Sequence, residues 1–224
     1  MIRTLPGFLG LQSDWDFLPW EHSATHGDVL MGYSMGGRLA LGLLEREHDA
    51  ALWSAAALAA ALAPKRRLRP PHSIISPRDT FAKAVIISAG LNAPDPARRQ
   101  RDEAWARRFE SEDWSSLMRD WNAQPVFGGH AVERREEDFD RAELARQLRE
   151  YSPAVLPPPD LESIETPVLW IAGERDAKYV DIARRAVARL PHAELWICPD
   201  AGHRVPWEQP DALVSRLRAF LDLH

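Results

Sequence analysis

The segment VLMGYSMGGR at residues 29–38 places a serine in the spacing G-x-S-x-G. A strand that turns sharply into a helix needs small residues beside the turn, and Gly32 and Gly36 meet that need. Such a turn would expose the Ser34 hydroxyl and aim the amide N–H of Met35 at a developing oxyanion. The spacing therefore predicts a reactive serine, with a glycine-rich turn that merely contains a serine as the alternative.

A serine hydroxyl becomes a useful nucleophile or base only beside a histidine that is oriented by a carboxylate. Asp176 follows the apolar run VLWIAGER, and His203 follows LWICPDAG. Both would stand just after late strands, in the chain order serine, acid, histidine. The pattern predicts Ser34, Asp176 and His203 as catalytic residues. Asp176 as a helix cap and Asp200 as the rival acid remain alternatives.

A second oxyanion donor is predicted from the turn LPGFLG, which follows the first apolar run. Gly7 permits a close backbone approach, and the amide of Phe8 is the candidate donor. An ordinary turn is the alternative interpretation. With Met35, this donor would complete an oxyanion hole.

The elements that must position these residues alternate between short apolar runs and amphipathic stretches, which is typical of βα units and a parallel sheet. The predicted strands lie in IRTLPGF, DVLMGYS, KAVIISAG, TPVLWIAGERD and AELWICPDAGH. The predicted helices lie in GGRLALGLLEREH, DIARRAVARLP and DALVSRLRAFLDL. We therefore expect residues 1–224 to form one α/β domain.

Two segments interrupt this alternation. Residues 50–80 contain the alanine-rich stretch ALWSAAALAAALA, predicted to be a helix, and a basic, proline-rich connector. Residues 95–155 are dense in charge and tryptophan and have helical periodicity. We expect this second segment to be a helical lid over the carboxyl ends of the strands.

The composition of the chain argues against some classes of binding partner. The chain has 224 residues, a net charge of -5 and a pI near 5.9, so nothing favours nucleic acid or an anionic membrane surface. No stretch resembles a signal peptide or reaches the roughly 20 apolar residues of a membrane span. The single cysteine, Cys198, lies in an apolar run and is predicted to be a buried thiol in a protein of the reducing cytoplasm.

Longer stretches of the chain resemble the α/β-hydrolase superfamily. GYSMGGRLAL, DEAWARRF, MRDWNAQPVF, AGERDAKYV and DAGHRVPWEQP are similar to the 2-succinyl-6-hydroxy-2,4-cyclohexadiene-1-carboxylate synthase family of menaquinone biosynthesis. The resemblance implies an α/β-hydrolase fold and a lyase that eliminates pyruvate from 2-succinyl-5-enolpyruvyl-6-hydroxy-3-cyclohexene-1-carboxylate. It implies that Ser34 acts as a base, with no metal or organic cofactor.

That substrate is small and bears three carboxylates, so the resemblance also implies a pocket with several arginines. The substrate-binding residues that it implies are Tyr33, Arg38, Arg98, Trp121 and Lys178. Arg99 and Arg101 are alternatives to Arg98, and a further arginine at Arg134 or Arg135 is a guess.

The chain departs from the family at its beginning and in the lid. Pro6 replaces the histidine that usually precedes the glycine of the first turn, and Asn122 stands where a tyrosine is common. In the superfamily strand order 1-2-4-3-5-6-7-8, strands 1, 2 and 4 are not found in this chain. These form one edge, so we predict a five-stranded parallel sheet equivalent to 3-5-6-7-8, with residues 2–6 at its border. A helix in QSDWDFLPWEH would connect the first two strands, and the alanine-rich helix could cover the bared surface.

Two other functions remain open from the sequence. A carboxylic-ester hydrolase would keep the serine, histidine and aspartate but would not need Arg38 or the lid arginines. A non-catalytic binding protein would result if the shortened sheet no longer held Ser34 within hydrogen-bond range of His203. The sequence leaves the oligomeric state open.

Overall fold

A computed structural model describes residues 2–19, 28–45, 81–91 and 94–223. Its sheet has five parallel strands whose order in space is their order in the chain. The strands are β1 (Ile2–Leu5), β2 (Val29–Tyr33), β3 (Lys83–Ile87), β4 (Val168–Gly173) and β5 (Ala193–Cys198). Within the described residues this confirms the predicted five-stranded sheet with β1 at its border.

Seven α-helices surround or extend the sheet in the described ranges. They are α1 (Met35–Leu44), α2 (Pro96–Ser111), α3 (Trp114–Asn122), α4 (Arg141–Glu150), α5 (Ala177–Val187), α6 (Val205–Glu208) and α7 (Pro210–Leu221). Short 3-10 helices lie at Gln12–Trp15, Pro125–Phe127, Glu136–Asp138 and Leu161–Ser163. Across these ranges, no helix combines the length and the apolarity that are needed to cross a membrane.

Alternate residues of the central strands feed two separate hydrophobic cores. In β4, Val168 and Trp170 pack in one core with helices α1 and α5, while Leu169 and Ile171 pack in the other core with helix α7. All four side chains are buried. Side chains alternate between the faces of a strand, so a strand covered on both faces has to be apolar throughout. This explains the uninterrupted apolar runs by which the strands were predicted.

The segment between β3 and β4 is helical and has a third core of its own. Helices α2, α3 and α4 bring together side chains that include Phe109, Leu117 and Leu144, all buried. Leu9, in the turn after β1, belongs to the same cluster. The helices therefore pack onto the turn that was predicted to supply an oxyanion donor. The role of this segment as a lid stays a prediction.

The first connection differs from the sequence prediction. Where a helix was expected in QSDWDFLPWEH, residues 12–19 form only the 3-10 helix Gln12–Trp15, followed by turns. Pro19 has no N–H for a helical hydrogen bond and disfavours helical backbone at the preceding Leu18. Residues 20–22 of that stretch, and the alanine-rich helix with its connector at 50–80, lie outside the described residues.

Cys198 ends β5 and is fully buried. Burial raises the pKa of its thiol to about 11, and the thiolate is the reactive form. We expect the native protein at pH 8 to resist iodoacetamide, and the protein unfolded in guanidinium chloride to gain one carbamidomethyl group per chain, measured by intact mass spectrometry. Rapid alkylation of the native protein would contradict the buried position of this thiol.

Candidate active site

Ser34 lies on a strained turn between β2 and α1. Its backbone has φ 52° and ψ -114°, a combination that non-glycine residues rarely adopt. The Ser34 amide donates a hydrogen bond to the Ile87 carbonyl at 2.8 Å, which ties the turn to β3. A Cβ atom on Gly32 would lie 2.6 Å from the carbonyl oxygen of Gly36. The turn therefore requires glycine at this position, as the sequence spacing indicated.

Three side chains form a hydrogen-bonded series at the carboxyl ends of β2, β4 and β5. His203 Nε2 lies 3.2 Å from Ser34 Oγ, and His203 Nδ1 lies 2.8 Å from Asp176 Oδ2. His203 is 3% exposed and the Asp176 side chain 9%. The geometry lets the histidine accept the serine proton at one ring nitrogen while the carboxylate fixes the other. The structure thus brings together the three residues predicted to be catalytic.

Asp176 lies both at the beginning of a helix and beside the histidine, the two positions that its alternative interpretations require. One of its oxygens caps α5 by accepting a hydrogen bond from the Tyr179 amide at 3.4 Å, and the other oxygen faces His203. Asp200, the rival acid, is exposed and has φ 54°. It makes no hydrogen bond to His203 within the described residues. The carboxylate partner of the histidine is therefore Asp176.

The turn after β1 packs directly against the serine turn. A Cβ atom on Gly36 would collide with the carbonyl oxygens of Leu5 and Pro6, and one on Gly7 would lie 2.8 Å from the Tyr33 ring. Among the described residues, the amides of Phe8 and Met35 donate no hydrogen bond to a protein group. Both N–H groups are available to a ligand, and their role as an oxyanion hole stays a prediction.

A cavity of about 60 Å³, partly open to solvent, adjoins Ser34. Most of its walls are aromatic or aliphatic, and two arginines contribute charge. Its lining includes Phe8, Leu9, Tyr33, Ser34, Met118, Trp121, Asn122, Phe127, Val132, Arg134, Arg204 and Trp207. Of the predicted substrate-binding residues, Tyr33 and Trp121 lie in this lining, whereas Arg38, Arg98 and Lys178 do not.

Arg38 differs most from its expected position. It is 1% exposed, and its Nη2 donates a hydrogen bond to the Pro157 carbonyl. Its Nε and Nη1 atoms are buried and have no hydrogen-bond partner among the described residues, and burial lowers the pKa of the guanidinium to about 10. The bond to Pro157 holds the guanidinium in the core beside α1, outside the lining of the cavity. The expectation that Arg38 faces substrate therefore receives no support from this geometry.

Arg98 and Lys178 lie near Tyr179 rather than in the cavity lining. Arg98 Nε donates to both carboxylate oxygens of Asp102, at 2.9 and 3.0 Å. Burial raises the pKa of Tyr179, and the charge of Arg98 acts in the opposite direction. Lys178 Nζ lies 5.5 Å from the Tyr179 ring, which in turn packs 4.4 Å from the His203 ring. Both cations therefore lie near Tyr179, whose ring packs against His203. The alternatives Arg99 and Arg101 are exposed.

Tyr33 is buried against the histidine, with the two ring centroids 5.7 Å apart. Burial raises the pKa of its hydroxyl above the usual range, and the nearby charge of Arg204 acts in the opposite direction. The phenol therefore stays protonated at neutral pH. It can donate a hydrogen bond into the cavity but cannot act as a base there.

Sequence reasoning missed two residues that follow the histidine. Arg204 is 6% exposed, and its Nη1 donates to Asn122 Oδ1 at 2.7 Å and to the His130 carbonyl. The Glu208 carboxylate accepts the amide N–H groups of Gly202 at 2.8 Å and Arg204 at 3.0 Å, which holds the histidine loop. The sequence feature that could have indicated them is the pair of charged residues in HRVPWEQP, directly after His203. Of the guessed arginines, Arg134 reaches the cavity.

Comparison with known proteins identifies the family of this chain. Residues 4–216 match the model of the alpha/beta hydrolase family. The chain belongs to the alpha/beta hydrolase family. This membership agrees with a parallel sheet that carries a serine after β2, an aspartate after β4 and a histidine after β5.

The curated relatives of this chain have names that specify one reaction. The 2-succinyl-6-hydroxy-2,4-cyclohexadiene-1-carboxylate synthase of Escherichia coli O7:K1 is 33% identical over 150 residues, which cover 61% of this chain and 58% of that protein. The protein of the same name from Shigella flexneri serotype 5b has the same identity and coverage. The match therefore spans less than two thirds of the length of these relatives.

Solved alpha/beta hydrolase structures share the fold. MenH from S. aureus superposes with a TM-score of 0.72 at 20% identity, over 99% of this chain and 92% of that one. An esterase from Exiguobacterium antarcticum gives a TM-score of 0.62 at 12% identity, over 99% and 91% of the two chains. At these identities the superpositions establish architecture alone.

Proposed function

We propose that this alpha/beta hydrolase eliminates pyruvate from 2-succinyl-5-enolpyruvyl-6-hydroxy-3-cyclohexene-1-carboxylate, giving 2-succinyl-6-hydroxy-2,4-cyclohexadiene-1-carboxylate for menaquinone biosynthesis. The observation that carries the proposal is the hydrogen-bonded series Ser34–His203–Asp176 beside a cavity that contains guanidinium groups. The similarity to synthases of that name supports the choice of reaction.

In this mechanism Ser34 is a base. His203 Nε2 accepts the serine proton, and the serine oxygen removes a proton from a ring carbon of the substrate. The electron pair of the C–H bond at C2 forms the C2=C3 double bond, the existing C3=C4 pair shifts to C4=C5, and the C5–O bond to the enolpyruvyl group breaks. Pyruvate leaves as its enolate, which takes up the proton held by His203. Asp176 stabilises the imidazolium that exists during these steps.

The amides of Phe8 and Met35 would stabilise the negative charge that develops on a substrate oxygen. Aromatic walls, including Trp121 and Phe127, would exclude water while the leaving group departs. The helical segment that supplies these walls would act as the lid of the site. No residue of this scheme requires a metal or an organic cofactor.

The direct test is pyruvate release by the purified protein from the enolpyruvyl-cyclohexene substrate, prepared in situ by the preceding enzyme. We expect release well above the spontaneous elimination rate, detected with lactate dehydrogenase and NADH. A rate equal to that of the protein-free control would rule out the synthase activity.

A carboxylic-ester hydrolase is the second candidate, because two observations favour it. The serine and histidine are arranged as acyl transfer requires, and the amides of Phe8 and Met35, which have no acceptor among the described residues, would complete that arrangement. Arg38 lies outside the cavity lining. Cleavage of a simple aryl ester without pyruvate release would support this candidate. A non-catalytic binding protein is not favoured, because Ser34 lies 3.2 Å from the histidine.

A further inference from the structure

Arg204 is a buried cation without a carboxylate partner. Its guanidinium is 6% exposed, and the hydrogen bonds of Nη1 go to neutral acceptors, the amide oxygen of Asn122 and the carbonyl of His130. In the described part of the chain no aspartate or glutamate forms an ion pair with it. Burial lowers the pKa of Arg204, and a hydrogen bond with Tyr33 and the charge of Glu208 oppose this effect only in part. A buried charge that is only partly compensated is costly, and a bound anion would reduce that cost.

Arg134 provides the contrast within the same cavity. Its Nη2 lies 2.7 Å from Asp14 Oδ2, and the two side chains are 10% and 8% exposed. The charge of Arg134 is therefore already neutralised by a buried carboxylate. Of the two arginines that line the cavity with Ser34, Arg204 is the one whose charge is left for a ligand.

We propose that Arg204 binds a carboxylate group of the substrate beside Ser34 and thereby selects anionic over neutral substrates. The choice of a carboxylate rests on the proposed function, whose substrate carries three. Burial acts to lower the pKa of Arg204, and a carboxylate ligand would oppose this effect.

The guanidinium is held ready for such a ligand. Its centre lies 3.8 Å from the centroid of the Phe127 ring, so the plane is packed against an aromatic surface. A guanidinium has five N–H groups, and donors remain after the bonds of Nη1 and the bond with Tyr33. Asn122, which departs from the tyrosine common in the synthase family, accepts one of those bonds. The asparagine at position 122 therefore helps to hold the Arg204 side chain in its position.

The test compares the binding of phthalate, a cyclic dicarboxylate, with that of its neutral dimethyl ester. Trp121 and Trp207 line the cavity, so tryptophan fluorescence reports occupancy of the site. We expect wild-type protein to prefer phthalate, and Arg204→Gln to weaken phthalate binding by about tenfold or more while the diester Kd changes less than about twofold. Equal affinity of wild type for both ligands, or equal losses for both in the variant, would overturn the proposal.

Three further variants separate charge from folding. Arg204→Lys should recover part of the phthalate affinity, because it keeps the charge but not the planar fork. Asn122→Ala removes one hydrogen bond between Arg204 and the helical segment between β3 and β4, and it keeps the guanidinium. A loss of phthalate affinity as large as that of Arg204→Gln would show that Arg204 only holds this segment in place. Arg185→Gln, at an exposed ion pair on α5, should bind like wild type.

The outcome is independent of turnover. Arg204-dependent binding of phthalate without pyruvate release would retain this inference and reject the synthase. Pyruvate release that is unchanged in Arg204→Gln, together with unchanged phthalate binding, would reject the inference and retain the synthase.

Discussion

Replacing Ser34 by alanine should lower turnover by about 10³-fold or more. The substitution removes the oxygen that lies 3.2 Å from His203 Nε2 and leaves the histidine with no group from which to accept a proton. The loss should appear in kcat, with KM nearly unchanged, because the cavity walls stay in place. Pyruvate release and aryl-ester cleavage, measured on the same preparation, should both be lost.

Ser88 offers a matched control. It follows β3, the strand next to that of Ser34, and like Ser34 it has a positive φ, here 48°, although Ser88 is fully buried. Its hydroxyl has no hydrogen-bond partner among the described residues, so Ser88→Ala should retain activity near that of the wild type. Substantial turnover by Ser34→Ala would show that another group is the base.

Replacing Gly173 by alanine should destabilise the protein and misplace the histidine. A Cβ atom at this position would lie 2.5 Å from the carbonyl oxygen of Ala201 and would also collide with that of Gly202. These carbonyls belong to the loop that carries His203, so the loop must move away from Asp176. We expect a loss of about 3 kcal/mol in the free energy of unfolding, a fall in Tm on the order of 10 °C, and a fall in turnover of about 10²-fold.

Gly202→Ala is the control for this substitution, since it lies in the same pair of loops. Its added Cβ would meet the Glu208 carboxylate at 3.1 Å, and the end of a flexible side chain can shift by a few tenths of an ångström. Thermal unfolding followed by circular dichroism should therefore show a smaller change for Gly202→Ala. Equal losses for the two variants would mean that any added methyl group here is harmful, whatever it meets.

The strands and the three candidate catalytic residues could be predicted from the sequence because the responsible signals are local. A strand covered on both faces must be apolar along its whole length, and the tight turn at Ser34 must have glycine at its sides. Asp176 and His203 are distant from Ser34 in the chain. In parallel strands they nevertheless reach the same edge of the sheet, so their order after successive strands was enough to predict that they meet.

The helix predicted at residues 12–22 was wrong over its described part. Pro19 and the turns before it leave only the 3-10 helix Gln12–Trp15 in this stretch. Proline removes a backbone donor and restricts the residue before it, and the prediction of a connecting helix did not take this local effect into account.

The substrate side of the site could not be predicted in the same way. Arg38 follows Ser34 by one helical turn, yet its long side chain bonds to the Pro157 carbonyl far along the chain. Arg204 reaches the cavity because residues of the helical insertion, Asn122 and His130, accept its hydrogen bonds. The position of an arginine head group depends on such distant partners, which spacing in the chain does not encode.

The sequence by itself determined the parallel strands, the strained serine turn and the order of serine, acid and histidine, because each follows from periodicity or from steric limits within a few residues. Only the tertiary structure decided that Asp176 caps a helix while it faces His203, and that Arg134 is neutralised by Asp14. Only the tertiary structure showed that Arg204 is buried in the cavity lining and, among the described residues, forms no ion pair with a carboxylate. The physical reason is that burial and charge pairing arise between segments brought together by packing, and long polar side chains can reach several of those segments from one position.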